Sequence, residues 1–131
     1  PGTGKFAKSK GKIPMPAKGK IIENFGDKKA GDIKAKGITI QTRSKAQITA
    51  PFDGDVLFAG PFKGYGNVII IEHDGSYHTL ISGIGKITSD VGQTLLTGEP
   101  IGTMSNDKKP ELYFEVRYKS RPQNPLLYLK A

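Results

Sequence analysis

The sequence predicts an all-β domain of antiparallel strands with little helix. Three observations lead there. From about residue 20 onward, short runs rich in Ile, Val, Phe and Tyr alternate with Gly, Pro, Asp and Asn, as strands alternate with turns. No segment repeats its apolar residues with a 3.6-residue period over a helix-sized window. Between the runs stand Asp53-Gly54, Gly64-Tyr65-Gly66, Asp74-Gly75, Val91-Gly92-Gln93 and Thr97-Gly98-Glu99, all turn signals.

Taken in order, the strands fall at 20–24, 37–42, 46–50, 54–59, 67–73, 77–82, 94–96, 100–104 and 111–117. The first three are short and rich in isoleucine and threonine, and the fourth starts from the Asp53-Gly54 turn. The fifth and sixth form the best-defined unit, NVIIIEHDGSYHTLIS, read as a hairpin closed by a type I′ turn at Asp74-Gly75. In that register His73 faces Ser76 and His78 faces Ile71, so the only two histidines become diagonal neighbours on one face. A metal site needs three or four ligands and the chain has no cysteine, so ordinary hairpin residues are the simpler reading. The strands at 94–96 and 100–104 flank Thr97-Gly98-Glu99.

The last strand alternates strictly. Leu112, Phe114 and Val116 point to one side, while Glu111, Tyr113, Glu115 and Arg117 line the other, because strand side chains have a period of two. A row of carboxylates, a phenol and a guanidinium is either a solvated face or the floor of a site.

At 131 residues the chain has the length of one domain. It holds no apolar run of membrane-spanning length, and its first residues, PGTGKFAKSK, lack the apolar core of a signal peptide. The expectation is a cytosolic protein or a processed piece of a longer one. Net charge is +8, but it is concentrated. Lys5, Lys8, Lys10, Lys12, Lys18 and Lys20 fall within the first 20 residues, which contain no acid. Residues 1–18 therefore read as a basic Gly- and Pro-containing linker or arm, and 19–131 as the folded domain. That distribution gives no basic face for nucleic acid. No Ser/His/Asp arrangement, G-x-S-x-G elbow or phosphate loop is present, and the carboxylate pairs Glu111/Glu115 and Asp53/Asp55 have spacings common on any solvated strand. Residue chemistry alone argues against an enzyme.

The order and spacing of several motifs resemble one family. The segment APFDGDVLFAGPFKGYGNVIIIEHDGSYHTLISGIGKITSDVGQTLLTGEPIGTM, followed by PELYFEVRYKSRPQNPLLYL, is similar to the lysostaphin-like or LytM peptidase domain. The carriers are D-G-x-V, G-Y-G-N, V-G-Q-x-x-x-x-G-x-x-I-G, F-E-V-R and N-P. The resemblance covers roughly residues 19–129. It implies an open, barrel-like sandwich of antiparallel strands and, in active members, a zinc-dependent peptidoglycan endopeptidase. Those members bind zinc through the His and Asp of H-x-x-x-D and the second His of H-x-H, with two more histidines assisting the zinc-bound water. Three ligands and an open position make that water a nucleophile near neutral pH.

Matching the motifs places Ala35 and Thr39 at the H-x-x-x-D ligands, Gly83 at one assisting histidine, Glu111 at the other, and Tyr113 at the last ligand. All five positions carry other chemistry, so the resemblance implies a pseudo-peptidase without metal or cofactor. Leu112-Tyr113-Phe114-Glu115 and Lys36-Gly37 further resemble murein hydrolase activators of the EnvC type. That implies a periplasmic fragment whose degenerate groove binds an N-acetylmuramoyl-L-alanine amidase and relieves its autoinhibition in cell separation. The groove is expected to present Lys36, Tyr65, Val68, Ile81, Glu111, Tyr113 and Arg117 to that partner, with Tyr113 at its centre. Arg117 is equally suited to a partner carboxylate or to Glu115 or Glu111 within the domain. A peptidoglycan-binding module and a zinc endopeptidase are the competing functions. A biotinyl or lipoyl carrier, suggested by the V-G-Q to G-E-P-I-G hairpin, lacks the lysine that its tip needs.

Overall fold

A computed structural model describes residues 2–131. Eight strands form one antiparallel sheet. They are β1 (Lys20–Glu23), β2 (Ile38–Gln41), β4 (Gly54–Phe62), β5 (Gly66–Glu72), β6 (Tyr77–Ile84), β8 (Thr94–Leu95), β10 (Glu111–Tyr118) and β11 (Arg121–Gln123). The order is β1-β2-β10-β6-β5-β4-β8, with β11 also on β10. A second sheet orders β3 (Gln47–Thr49), β9 (Pro100–Thr103) and β7 (Lys86–Ile87) as β3-β9-β7. All nine expected strands are present. The two-residue β7 and three-residue β11 escaped notice, being too short to show a period.

Alternation sorts the sheet into two faces. Leu112, Phe114 and Val116 of β10 are buried together with Ile38 and Ile40 of β2, Ile81 of β6, and Ile69 and Ile71 of β5. Ile48 and Ile101 of the small sheet join the same core. The opposite face of β10 carries Tyr113, Glu115 and Arg117, paired in register with Ser82, Leu80 and His78 of β6.

Two expectations are corrected. The β5–β6 connection is a three-residue loop, Asp74 to Ser76, because the His73 amide donates to the Tyr77 carbonyl at 2.9 Å; Gly75 and Ser76 both take positive φ, 67° each. One extra loop residue shifts the register by one and sends the histidines to opposite faces. His78 pairs with Glu72, whereas His73 is buried.

Residues 1–18, expected as a linker or arm, fold onto the sheet over the part described. A one-turn helix, α1 (Lys5–Lys8), places Phe6 in the core with no exposed surface. The Phe6 ring stacks on Tyr77 with centroids 4.5 Å apart and meets Phe52 edge-on at 5.3 Å. Asp74 accepts from the Lys5 and Phe6 amides at 2.7 and 2.9 Å. Further on, Ile13 and Ala17 are also buried. Lysine-rich composition masked this, since three separated apolar residues give no periodic signal.

Candidate functional site

The non-core face of β10 is the floor of a cleft of about 480 Å³. Its walls come from the loop carrying Lys29, Ile33, Lys34, Ala35 and Lys36, from the turn at Gly64 and Tyr65, and from Ser82 and Gly83 of β6. Close backbone approach shapes both ends. A Cβ on Gly37 would stand 2.3 Å from the Phe114 carbonyl oxygen and 2.9 Å from Cγ of Glu115, so the Lys36-Gly37 pair lets this loop lie on β10. Gly83 has φ of 84°, and its Cβ would stand 2.3 Å from the Glu111 carbonyl oxygen.

Along the floor, three side chains at alternate positions interlock. The Tyr113 hydroxyl donates to Oε2 of Glu115. Arg117 Nε donates to Oε1 of the same carboxylate at 2.6 Å, and Nη1 reaches the Ser120 carbonyl at 3.4 Å. Glu115 is buried, so both oxygens are satisfied from its own strand while the guanidinium neutralises it. Burial, and then the hydrogen bond to Glu115, push the Tyr113 phenol well above its ordinary pKa. It stays a proton donor at all physiological pH values. Thr39 of β2, the register partner of Tyr113, donates to Glu23 at 3.4 Å, and Glu23 also pairs with Lys29 at 3.3 Å.

The cleft has a charge gradient. Lys34 and Lys36 form no ion pair among the described residues, nor does Glu111 at the other end of β10. The exposed side chains of Ile33 and Tyr65 stand on the walls.

Eight sequence-derived residues meet here: Ala35, Lys36, Thr39, Tyr65, Gly83, Glu111, Tyr113 and Arg117 all line the cleft. Two do not. Ile81 pairs with Phe114 and Ile69 on the core side and is fully buried; the parity of β6 excludes it. Val68 lies opposite Ser82 on the cleft side of the sheet but is only 2% exposed, beneath the accessible floor. The internal pairing of Arg117 with Glu115, one of the alternatives the sequence left open, is the one formed. Sequence reasoning missed that Tyr113 joins it and makes Glu115 the centre of a triad. Its signal was present, since a phenol and a guanidinium flank it at i−2 and i+2 on one strand face.

The donors do not fit the zinc ion that active members of the resembled family hold. Ala35 offers a methyl group, Thr39 a hydroxyl, and Tyr113 a phenol whose proton is engaged by Glu115. A carboxylate with two hydroxyls is a poor zinc set, and among the described residues no three or more His, Cys, Asp or Glu cluster to hold a metal. His73 is committed elsewhere. Its Nδ1 donates to the Asp53 carbonyl at 2.7 Å and Nε2 accepts from the Thr79 hydroxyl at 2.8 Å, the tautomer following because a carbonyl only accepts.

Comparison with known proteins agrees with the fold. Residues 33–125 match the profile of peptidase family M23. The murein hydrolase activator NlpD of Salmonella dublin is 38% identical over 117 residues, which cover 87% of this chain and 30% of that protein. The murein hydrolase activator EnvC of Escherichia coli K12 is 28% identical over 130 residues, covering 97% of this chain and 31% of that protein. Identity to NlpD thus exceeds identity to EnvC, and the chain spans about a third of the length of either relative. The catalytic domain of lysostaphin from Staphylococcus simulans shares the fold, with a TM-score of 0.74 at 22% identity over 86% of this chain and 93% of that one.

Proposed function

Because the chain belongs to peptidase family M23, we propose that it is a pseudo-peptidase of that family, a non-catalytic activator of a peptidoglycan hydrolase. We assign the hydrolase as a periplasmic N-acetylmuramoyl-L-alanine amidase working in cell separation. One observation carries the reading. The five positions that the resemblance assigns to zinc chemistry, Ala35, Thr39, Gly83, Glu111 and Tyr113, line one cleft, and none of them carries a histidine or an aspartate. The activator relatives named above support the hydrolase-activating role.

The cleft suits protein recognition. Tyr113 is half-buried and fixed by Glu115, so little side-chain entropy remains to be lost on binding. Tyr65 and Ile33 offer apolar surface beside it, and charged groups stand at the rim, the composition of an interface centre. A domain that performs no chemistry activates an enzyme only by binding its open state more tightly than its closed state. Here the cleft would hold the segment of the amidase that otherwise blocks the amidase's own site.

The test mixes this chain with candidate periplasmic amidases and dye-labelled murein. Stimulated dye release, abolished by Tyr113→Ala, supports the proposal. Murein binding without stimulation of any amidase favours a peptidoglycan-binding module. Murein cleavage by the chain alone, with stoichiometric zinc, returns it to the peptidases.

A further inference from the structure

The folded N-terminal segment creates a face that the cleft does not use. Ile13 N donates to the Tyr128 carbonyl at 3.1 Å, and Lys130 N donates to the Ile13 carbonyl at 2.7 Å. Residues on either side of Ile13 are thereby laid beside the C-terminal residues, and Lys10 Nζ stands 5.5 Å above the Tyr128 ring. With Phe6 and Ile13 pinned inward, Lys8, Lys10 and Lys12 project outward, joined by Lys130; all four are exposed. None forms an ion pair among the described residues. No acidic residue precedes Glu23.

Directly before Tyr128, whose ring Lys10 overlies, a 3-10 turn over Pro125–Leu127 leaves Leu126 42% and Leu127 58% exposed. Apart from the contact of Lys10 with the Tyr128 ring, no ion pair among the described residues offsets the charge of these lysines. Four exposed lysines held on or next to the segments joined at Ile13 raise the local positive charge, and the exposed leucines just before Tyr128 add apolar surface to it. Lysines alone would fit any polyanion. Lysines together with two exposed leucines fit a surface with phosphates outside and hydrocarbon just beneath.

We propose that this face docks on an anionic phospholipid surface, with Lys8, Lys10, Lys12 and Lys130 meeting lipid phosphates and Leu126 and Leu127 entering the boundary between headgroups and acyl chains. Docking of this kind holds the domain at a membrane with the cleft, built from other residues, still available.

Co-sedimentation of the 131-residue chain with vesicles tests the proposal. Vesicles of phosphatidylglycerol mixed with phosphatidylcholine should bind the chain, pure phosphatidylcholine should not, and binding should weaken as salt rises. Each lysine near such a surface is worth roughly a fivefold change in partition. The triple variant Lys8→Gln, Lys10→Gln, Lys12→Gln should therefore lose on the order of 100-fold. Leu127→Ser should weaken binding at constant charge, and Tyr113→Ala should leave it unchanged. Equal binding to both vesicle types, undiminished binding by the triple variant, or binding to purified murein with none to vesicles would overturn the proposal. Circular dichroism of each variant separates lost docking from lost folding.

Discussion

Arg117 and Glu115 stand two residues apart on β10 and share a 2.6 Å ion pair in which the carboxylate side chain is 5% exposed and the guanidinium 33%. The pairing is asymmetric: Glu115 is shielded from solvent, while Arg117 keeps an edge toward it. Arg117→Ala therefore strands a buried carboxylate and should cost about 2–3 kcal/mol, below the range for a fully buried pair because Arg117 is partly exposed. Replacing both partners, Glu115→Gln with Arg117→Ala, should recover part of that loss. Urea denaturation of the single and double variants measures it.

Tyr113 contributes a ring to the cleft and a hydrogen bond to the triad. Tyr113→Phe removes only the second and should cost about 1 kcal/mol in stability, with amidase stimulation largely retained. Tyr113→Ala should also abolish stimulation. Equal stimulation by Ala and Phe variants would remove the ring from the proposed interface.

Restoring the family's assisting histidine at position 83 should fail. Gly83 occupies the left-handed region and its Cβ would press on the Glu111 carbonyl oxygen. Gly83→His should destabilise the domain by about 1–3 kcal/mol from backbone strain alone, before any clash is counted. Gly37→Ala should be similarly disruptive through its contact with β10. Thermal melts of both variants check this, and murein cleavage by Gly83→His would contradict it.

Stability should fall in mild acid. Burial is the main cause that lowers the His73 pKa from 6.5 to about 4, opposed in part by its hydrogen bond to Asp53. Between those values the unfolded chain binds the extra proton and the folded chain does not, so stability rises with pH across that window. The contribution is complete above the unfolded value and is lost as pH drops toward about 4. Its size is on the order of 3 kcal/mol. Melting temperatures from pH 7 to pH 4 should show it, and a His73→Gln variant should show a shallower slope there.

Phe6→Ala should behave as a core truncation, costing about 3–5 kcal/mol, although it lies in a stretch that reads as a linker. Chemical denaturation would return an unchanged midpoint if the segment were dispensable.

Strand content was legible because β-branched runs and turn residues are local signals, and the parity of β10 followed directly from its alternation. The hairpin register was not: Asp74-Gly75 marks a turn in either case, and whether Ser76 belongs to the loop depends on the packing of His73 among Phe6, Asp53 and Thr79. The cleft could be assembled from motif positions on separate strands. Ile81 was misplaced because motif matching fixes position in the chain, not the face of a buried strand. Glu115 was legible as a partner for Arg117 from strand alternation, but not as a buried anchor, because its depth depends on the loop at Gly37 lying against it.

Ile13 and Leu129 form a parallel bridge, so the backbone runs the same way at these two positions. Tension applied through residue 2 would first meet the Asp74 hydrogen bonds to the Lys5 and Phe6 amides and the buried Phe6 ring, and only then the hydrogen bonds at Ile13. The N-terminal segment is thus fastened twice in succession, and the second fastening carries load only after the first has given way.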